Sequence, residues 1–376
     1  MEHNINFLKF AQKPKNYFLT THNSPIRRMM SELVEQLSRE HILDADGFKS
    51  LLSCNDEAVI SDLHERARKV ADEVFGRKVF LRGLVEISNH CKNNCLYCGL
   101  RRDNREIARY RLSTEEIVAC CHRAYKLGFR TFVLQGGEDP VENDDWVVKT
   151  VGELRSLFPD CVITLSLGEK SRESYGRFKE AGADRYLLRH ETHNAAHYQQ
   201  LHPREMSLGH RLQCLEWLHD LGYQTGCGMM VGSPGQTLDH LVEDLQYIHD
   251  SRPAMVGMGP FIPHHATPFA QESAGSVALT LRLISIVRLM LPGVLLPATT
   301  ALGSMMQGGR LAGLKAGANV LMPNISPPQA RTAYELYEHK NPGSIDSLED
   351  WKRLENNLNS AGFEIAVGRG DSRVNS

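Results

Sequence analysis

Hydrophobic and polar positions fall into two regimes along the chain. From residue 24 to about 76 apolar residues recur at threes and fours. Met29, Leu33 and Leu37 form one series; Val59, Ile60, Leu63, Ala67, Val70 and Val74 form another. That spacing predicts two or three amphipathic helices with one buried stripe each. From residue 79 short β-rich runs alternate with helical patterns. The predicted strands are 79–88, 131–137, 161–168, 184–191, 224–232, 255–263, 295–301 and 319–324. The intervening helices carry start and stop signals, as in STEEIVACCHRAYKLG, with a Ser cap, an early Glu and a terminal Gly. Eight βα units in roughly 260 residues predict an α/β fold, a (β/α)8 TIM-type barrel. Crossover helices exclude an antiparallel sandwich, and a doubly wound open sheet is the rival. The organisation expected is an N-terminal arm and helices (1–78), the barrel (79–340) and a C-terminal extension (341–376) holding one helix and a short strand. Residues 1–24 are polar and aperiodic, an arm or a strap.

Composition narrows the function classes. The 376 residues are 41% hydrophobic and 23% charged, with 43 basic and 45 acidic side chains. A net charge of −2 lacks the basic field that nucleic acid or an anionic membrane requires. No apolar run approaches the ~20 residues of a membrane span, and the first 20 residues lack a signal core. The expectation is a soluble, cytoplasmic protein that binds neither nucleic acid nor membrane.

The cysteines carry the chemistry. Of nine, Cys91, Cys95 and Cys98 lie within eight residues, in HCKNNCLYCG directly after the first predicted strand. In a reducing compartment that spacing indicates metal ligation rather than disulfides. Three thiolates on one loop can ligate three irons of a [4Fe–4S] cluster, leaving the fourth open for reaction. The structural alternative is a zinc with His90 or His122 as fourth ligand. The loop also falls at the C-terminal end of a barrel strand, the face that carries catalysis. Cys120 and Cys121 read as buried small hydrophobes.

A C-x3-C-x2-C loop after the first barrel strand, with Gly136-Gly137-Glu138 ending the second, resembles the radical S-adenosylmethionine (SAM) superfamily. The resemblance implies one [4Fe–4S] cluster held by Cys91, Cys95 and Cys98. It further implies that the open iron would chelate SAM and that the cluster would cleave it reductively to a 5′-deoxyadenosyl radical. CKNNCLYCGLRRDN, RYRLSTEEI, LQGGEDP, TLSLGE, AGADRYLLRHET, GPFIPHHATP, PATTALG and GANVLMPN together resemble the HydE family of [FeFe]-hydrogenase maturases, relatives of biotin synthase and methylornithine synthase. Many relatives carry a second cysteine group near the C-terminus. Here that stretch has none, so a single cluster is expected.

Side chains alternate along a strand, so Arg189 and Glu191 share a face, as do Thr164 and Ser166. On residues alone, a charged pair at the barrel mouth points to a bound ligand, with an Arg189–Glu191 ion pair holding the barrel top as the alternative. The resemblance makes Glu191 the acceptor for the SAM ribose hydroxyls and Arg211 the clamp on its carboxylate. It places Gln135, Gly136, Gly137, Glu138, Thr164 and Ser166 around the same cofactor. Arg189, Met229, Thr299 and Thr300 would then line a substrate cavity for a small iron–carbonyl–cyanide–cysteine species, with other hydrogenase maturases as candidate partners. Biotin-synthase-like chemistry is disfavoured, because only Cys161 and Cys227 lie on strands and Cys161 is at the wrong end. A non-catalytic metal scaffold is the rival from another class. His264-His265 reads as loop structure or as metal ligands, and Gly308-Gly309 as a weak phosphate-turn signal.

Overall fold

The computed structural model describes residues 25–340 and 343–374; the predicted N-terminal arm, residues 1–24, lies outside them. Three helices open the described chain, Pro25–Glu40, Ala45–Ser53 and Glu57–Phe75. Each buries one apolar stripe, but not always the one expected. On the first it is Met30, Val34 and Leu37, one residue on from the predicted Met29 and Leu33, and Met29 is exposed. On the third Val59, Leu63 and Ala67 are buried as expected, joined by Ala71 and Phe75. Asp44 and Asp56 cap the second and third through side-chain bonds to backbone N–H groups. The third packs against helix Val277–Met290, and His64 Nδ1 meets Ser285 Oγ there at 2.7 Å.

Among the described residues nine strands follow: β1 (Lys78–Leu81), β2 (Gly83–Ser88), β3 (Thr131–Gly136), β4 (Val162–Ser166), β5 (Arg185–Leu187), β6 (Gln224–Val231), β7 (Met255–Pro260), β8 (Val320–Leu321) and β9 (Glu364–Ala366). Strands β2 to β7 form one parallel sheet in sequence order, and β8-β1-β9 forms a second. Isolated parallel bridges join the two: Met255 to Leu295, Pro297 to Val320, and Leu84 to Asn324. Pairing therefore passes from β7 through 295–297 to β8 and back to β2, partly by single bridges rather than continuous ladders. All six residues of β2 are buried, as expected of a parallel strand covered on both faces.

The predicted strand 79–88 is two strands, β1 and β2, which belong to different sheets, and the predicted 319–324 is a strand only at Val320–Leu321. Two further predicted strands, 295–301 and 184–191, are cut short. Residues 295–301 pair only at Leu295 and Pro297 before the chain enters helix Thr300–Met305; a proline has no N–H to extend a ladder. The 184–191 run stops at Leu187, then rejoins β6 through a single bridge between Glu191 and Met229. Glu191 there takes a left-handed backbone, φ +67°.

After the barrel, helix Leu348–Ser360 leads into β9, which pairs in parallel with β1. The last described residues close the N-terminal end of the strands. Asp371 Oδ1 accepts from Arg185 Nη2 at 2.7 Å and from Gln224 Nε2 at 2.8 Å. Among the described residues no helix is long and apolar enough to cross a membrane.

Arg185 is buried, so removing its carboxylate partner leaves a charge without compensation. Asp371→Ala is expected to lower unfolding stability by about 1–3 kcal/mol, read as a lower urea midpoint at unchanged slope. Glu364→Ala, at an exposed position of β9, should change it by less than about 0.5 kcal/mol.

Candidate active site

Residues 89–104 leave the C-terminal end of β2 with no regular structure, so their shape must come from contacts with other segments. Asn89 Nδ2 donates to the carbonyls of Ala108 (2.8 Å) and Ala333 (2.7 Å), and its Oδ1 accepts from Tyr110 N at 2.8 Å. The Arg109 guanidinium donates to four carbonyls on the loop: Leu100 (3.0 Å), Arg101 (2.8 Å), Asn104 (2.9 Å) and Asn89. Gly99 N donates to Leu336 O at 2.9 Å. A Cβ at position 99 would stand 2.0 Å from Glu335 O, so the approach requires glycine.

The Gly136-Gly137-Glu138 turn locks the other flank. A Cβ on Gly137 would meet His90 O at 2.2 Å and Cys91 Cβ at 2.7 Å. Lys92 N donates to Glu138 O at 2.9 Å. The Glu138 side chain accepts from Glu169 N at 2.9 Å and pairs with Lys92 Nζ at 3.2 Å. Asp139, next in sequence, accepts from Arg111 through both oxygens (2.7 and 2.9 Å) and from Ser88 Oγ (2.7 Å). Burial alone would raise the Asp139 carboxyl, but Arg111 and Ser88 outweigh it and hold it below its ordinary value.

A cavity of about 330 Å³ opens beneath these loops, lined by all three cysteines. Gln135, Gly136, Gly137, Glu138 and Ser166 also line it, as do Arg189, Glu191, Arg211, Thr299 and Thr300. A larger cavity, about 960 Å³, lies between helices Leu208–Asp220 and Leu238–Ser251, but none of the three cysteines reaches it. Size is not the criterion here; the three cysteines line the smaller space. Burial raises the Cys98 thiol to about 12, with Cys91 adding to it, and burial raises the Cys95 thiol as well. A metal reverses this, since a coordinated thiol is held deprotonated.

Two expected residues do not reach the cavity. Thr164 shares a face with Ser166 but lies two residues lower on β4, roughly 6.6 Å down the strand, and is buried beneath the cavity. Met229 is buried in the core, and its neighbour Met230 lines the cavity instead, because alternation sends adjacent side chains to opposite faces.

The charged groups interlock. Arg189 Nε donates to Glu191 Oε1 at 3.1 Å, so the ion pair read from the sequence forms, and it faces the cavity. Arg211 Nε donates to Glu169 Oε1 at 2.6 Å and its Nη1 to Arg189 O at 2.7 Å. Glu191 Oε2 is buried with no hydrogen-bond partner, and so is Thr299 Oγ1. Thr299 occupies the N-cap position of helix Thr300–Met305 without capping it. Holding a non-glycine residue such as Glu191 at positive φ costs on the order of 1 kcal/mol or more, the kind of strain found at functional sites.

Sequence reasoning missed the inner end of this cavity. Buried Glu86, inside β2, takes Lys340 Nζ at 2.5 Å, and Lys340 also donates to Tyr334 O at 2.7 Å. Burial pushes the Glu86 carboxyl up and the Lys340 ammonium down. Tyr97, Tyr334 and Tyr337 complete the wall. The one available signal was a glutamate within the otherwise apolar run LVEIS.

A radical SAM superfamily model matches residues 85–248, from β2 through helix Leu238–Ser251. The [FeFe] hydrogenase maturase subunit HydE of Thermotoga maritima is 46% identical over 318 residues, spanning 85% of this chain and 89% of its own. The chain belongs to the HydE family of radical SAM enzymes. Membership implies SAM and an iron–sulfur cluster as cofactors. The 3-methylornithine synthase of Methanosarcina acetivorans is 30% identical, covering 88% of this chain and 95% of its own. The crystal structure of methylornithine synthase (PylB) superposes with a TM-score of 0.77 at 27% identity, covering 89% of this chain and 97% of that one.

The Asp139 clamp gives a signed pH dependence. A carboxylate held below its unfolded value near 3.9 stabilises fully above about pH 5, and that stability is lost as pH falls through the folded value. The stability difference between wild type and Asp139→Asn, from urea unfolding, should be constant from pH 7 to pH 5 and shrink below about pH 4.

Proposed function

We propose that this enzyme acts in assembly of the active-site cluster of [FeFe]-hydrogenase, using a single [4Fe–4S] cluster and SAM on a small iron–carbonyl–cyanide–cysteine precursor. The observation that carries this reading is the 46% identity to a HydE maturase along 85% of the chain. It is supported by one cavity that gathers the cysteine loop, the glycine turn, Glu191 and Arg211.

The residues present fit the cluster better than a lone zinc. Among the described residues the ligand atoms that stand together within 4.8 Å are those of His264, His265 and Glu338, so the three sulfurs do not close on one point. Two thiolates on one zinc are at most about 4.6 Å apart, twice a Zn–S bond. Cys91, Cys95 and Cys98 would hold three irons, and the cluster, when bound, supplies the electron that cleaves SAM. Glu191 Oε2, unpartnered and buried, is the acceptor for the SAM ribose hydroxyls. The Arg211 Nη2 group makes no hydrogen bond among the described residues and is free for the SAM carboxylate, with its fork aimed by Glu169 and Arg189 O. Gln135 and Ser166 border the same space. Arg189, Thr299, Thr300 and Met230 face the substrate, and Tyr97, Tyr334 and Tyr337 exclude water from it. Other hydrogenase maturases would supply and receive the substrate.

Two arginines separate cofactor from substrate. Arg211→Ala should weaken SAM binding by about 2–3 kcal/mol in equilibrium titration, the scale of a lost charge-assisted bond. Arg189→Ala should bind SAM nearly normally yet fail to support hydrogen evolution when added with apo-hydrogenase and the remaining maturases. Cys95→Ala should support neither 5′-deoxyadenosine formation nor maturation, while Cys120→Ala supports both. Equal loss of SAM affinity in the two arginine variants would move Arg189 into the cofactor site. A wild-type chain that cleaves SAM but never activates the hydrogenase would overturn the assigned pathway.

A further inference from the structure

Outside the cavity, three loops of the barrel rim bring imidazoles and carboxylates together. Four residues after β7 ends at Pro260, the rings of His264 and His265 stack with centroids 4.4 Å apart. Residues 334–340 pass over the same edge, and Glu338 N donates to Pro263 O at 3.2 Å. Glu338 Oε1 accepts from His265 N at 2.9 Å and also contacts His265 Nδ1. From the arm of the cysteine loop, Glu106 Oε2 reaches His265 Nε2 at 3.1 Å. Glu335 Oε2 stands 3.7 Å from His264 Nε2. The ligand atoms of His264, His265 and Glu338 all lie within 4.8 Å of one another.

The charge balance calls for a cation. Glu106, Glu335 and Glu338 surround two imidazoles, and among the described residues their ion pairs are all with those two histidines rather than with lysine or arginine. Imidazole nitrogen with carboxylate oxygen is a donor set for zinc and the neighbouring divalent first-row ions. A ligating histidine places its second ring nitrogen on a carboxylate, which orients the ring and raises its basicity. Glu106 stands in that position behind His265, while Glu338 sits at the nitrogen a metal would take. A cation there would replace the proton shared between His265 Nδ1 and Glu338.

We propose that His264, His265 and Glu338, backed by Glu106, form a divalent transition-metal site that pins residues 334–340 to the barrel rim. That segment supplies Tyr334, Leu336, Tyr337 and Lys340 to the cavity wall. Its Leu336 carbonyl accepts from Gly99 of the cysteine loop. The site is therefore a clamp on the wall of the cavity, separate from the three cysteines, and it does not depend on which substrate the cavity takes.

The test uses the cluster-loaded protein under anaerobic conditions, so that the thiols are already engaged. Titration with Co²⁺ should give weak visible bands that saturate near one equivalent and are abolished by Zn²⁺. His265→Ala and Glu338→Gln, both at solvent-accessible positions, should bind at least ~100-fold more weakly, and Glu106→Gln ~10–100-fold more weakly. A variant with Cys91, Cys95 and Cys98 all changed to Ala should keep the same bands, placing the ion away from the cluster loop. Absence of saturable binding in the wild type, or unchanged affinity in His265→Ala, would overturn the site. His265 would then be an imidazolium bridging two carboxylates.

Discussion

The backbone at Gly137 approaches the cysteine loop so closely that a single methyl group there would collide with the His90 carbonyl at 2.2 Å and with Cys91 Cβ at 2.7 Å. The site is built outward from that contact. It sets the end of β3 directly beside the first cysteine and allows Lys92 N to bond Glu138 O. It also leaves Asp139 positioned for Arg111 and Ser88. Gly99 makes the corresponding approach at the far end of the loop, against Glu335 O. Between the two glycines, Arg109 supplies the donors that an irregular loop cannot find within itself. Three thiols can then face one cavity without a helix or strand to carry them.

Burying so many charges beneath that loop is tolerable because almost every one is matched. Arg189 with Glu191, Arg211 with Glu169 and Lys340 with Glu86 each pair across or along the wall, and an unpaired ion would cost several kcal/mol. The exceptions are informative. Glu86 Oε2, Glu191 Oε2 and Thr299 Oγ1 are buried and unpartnered, and all three residues line the same space. Glu191 also holds a strained backbone. Unspent hydrogen-bonding capacity and stored strain therefore coincide where a ligand is expected.

Much of this was legible in the sequence because it is local. The βα rhythm, the Ser113–Glu116 capping box and the cysteine spacing each depend on residues a few positions apart. What escaped was set by long-range geometry. Lys340 lies 254 residues from Glu86, and no pattern links them. Arg109 sits within a motif, RYRLST, whose sequence gives no hint that one guanidinium serves four carbonyls. Met229 and Met230 are chemically identical neighbours, so only the exact register of β6 decides which faces the cavity. At 295–301 β-branched character was present, but Pro297 denied the ladder a donor.

The central claim of the proposal is that the cysteine loop holds one cluster with an open iron, and that Glu191 and Arg211 hold SAM against it. Electron paramagnetic resonance of the reconstituted, one-electron-reduced protein, recorded before and after adding SAM, tests it directly. The account predicts a single reduced-cluster signal whose g-values shift when SAM occupies the open iron, with the shift lost when Glu191 and Arg211 are both replaced. A signal that SAM leaves unchanged, or two distinct cluster signals from one chain, would contradict it.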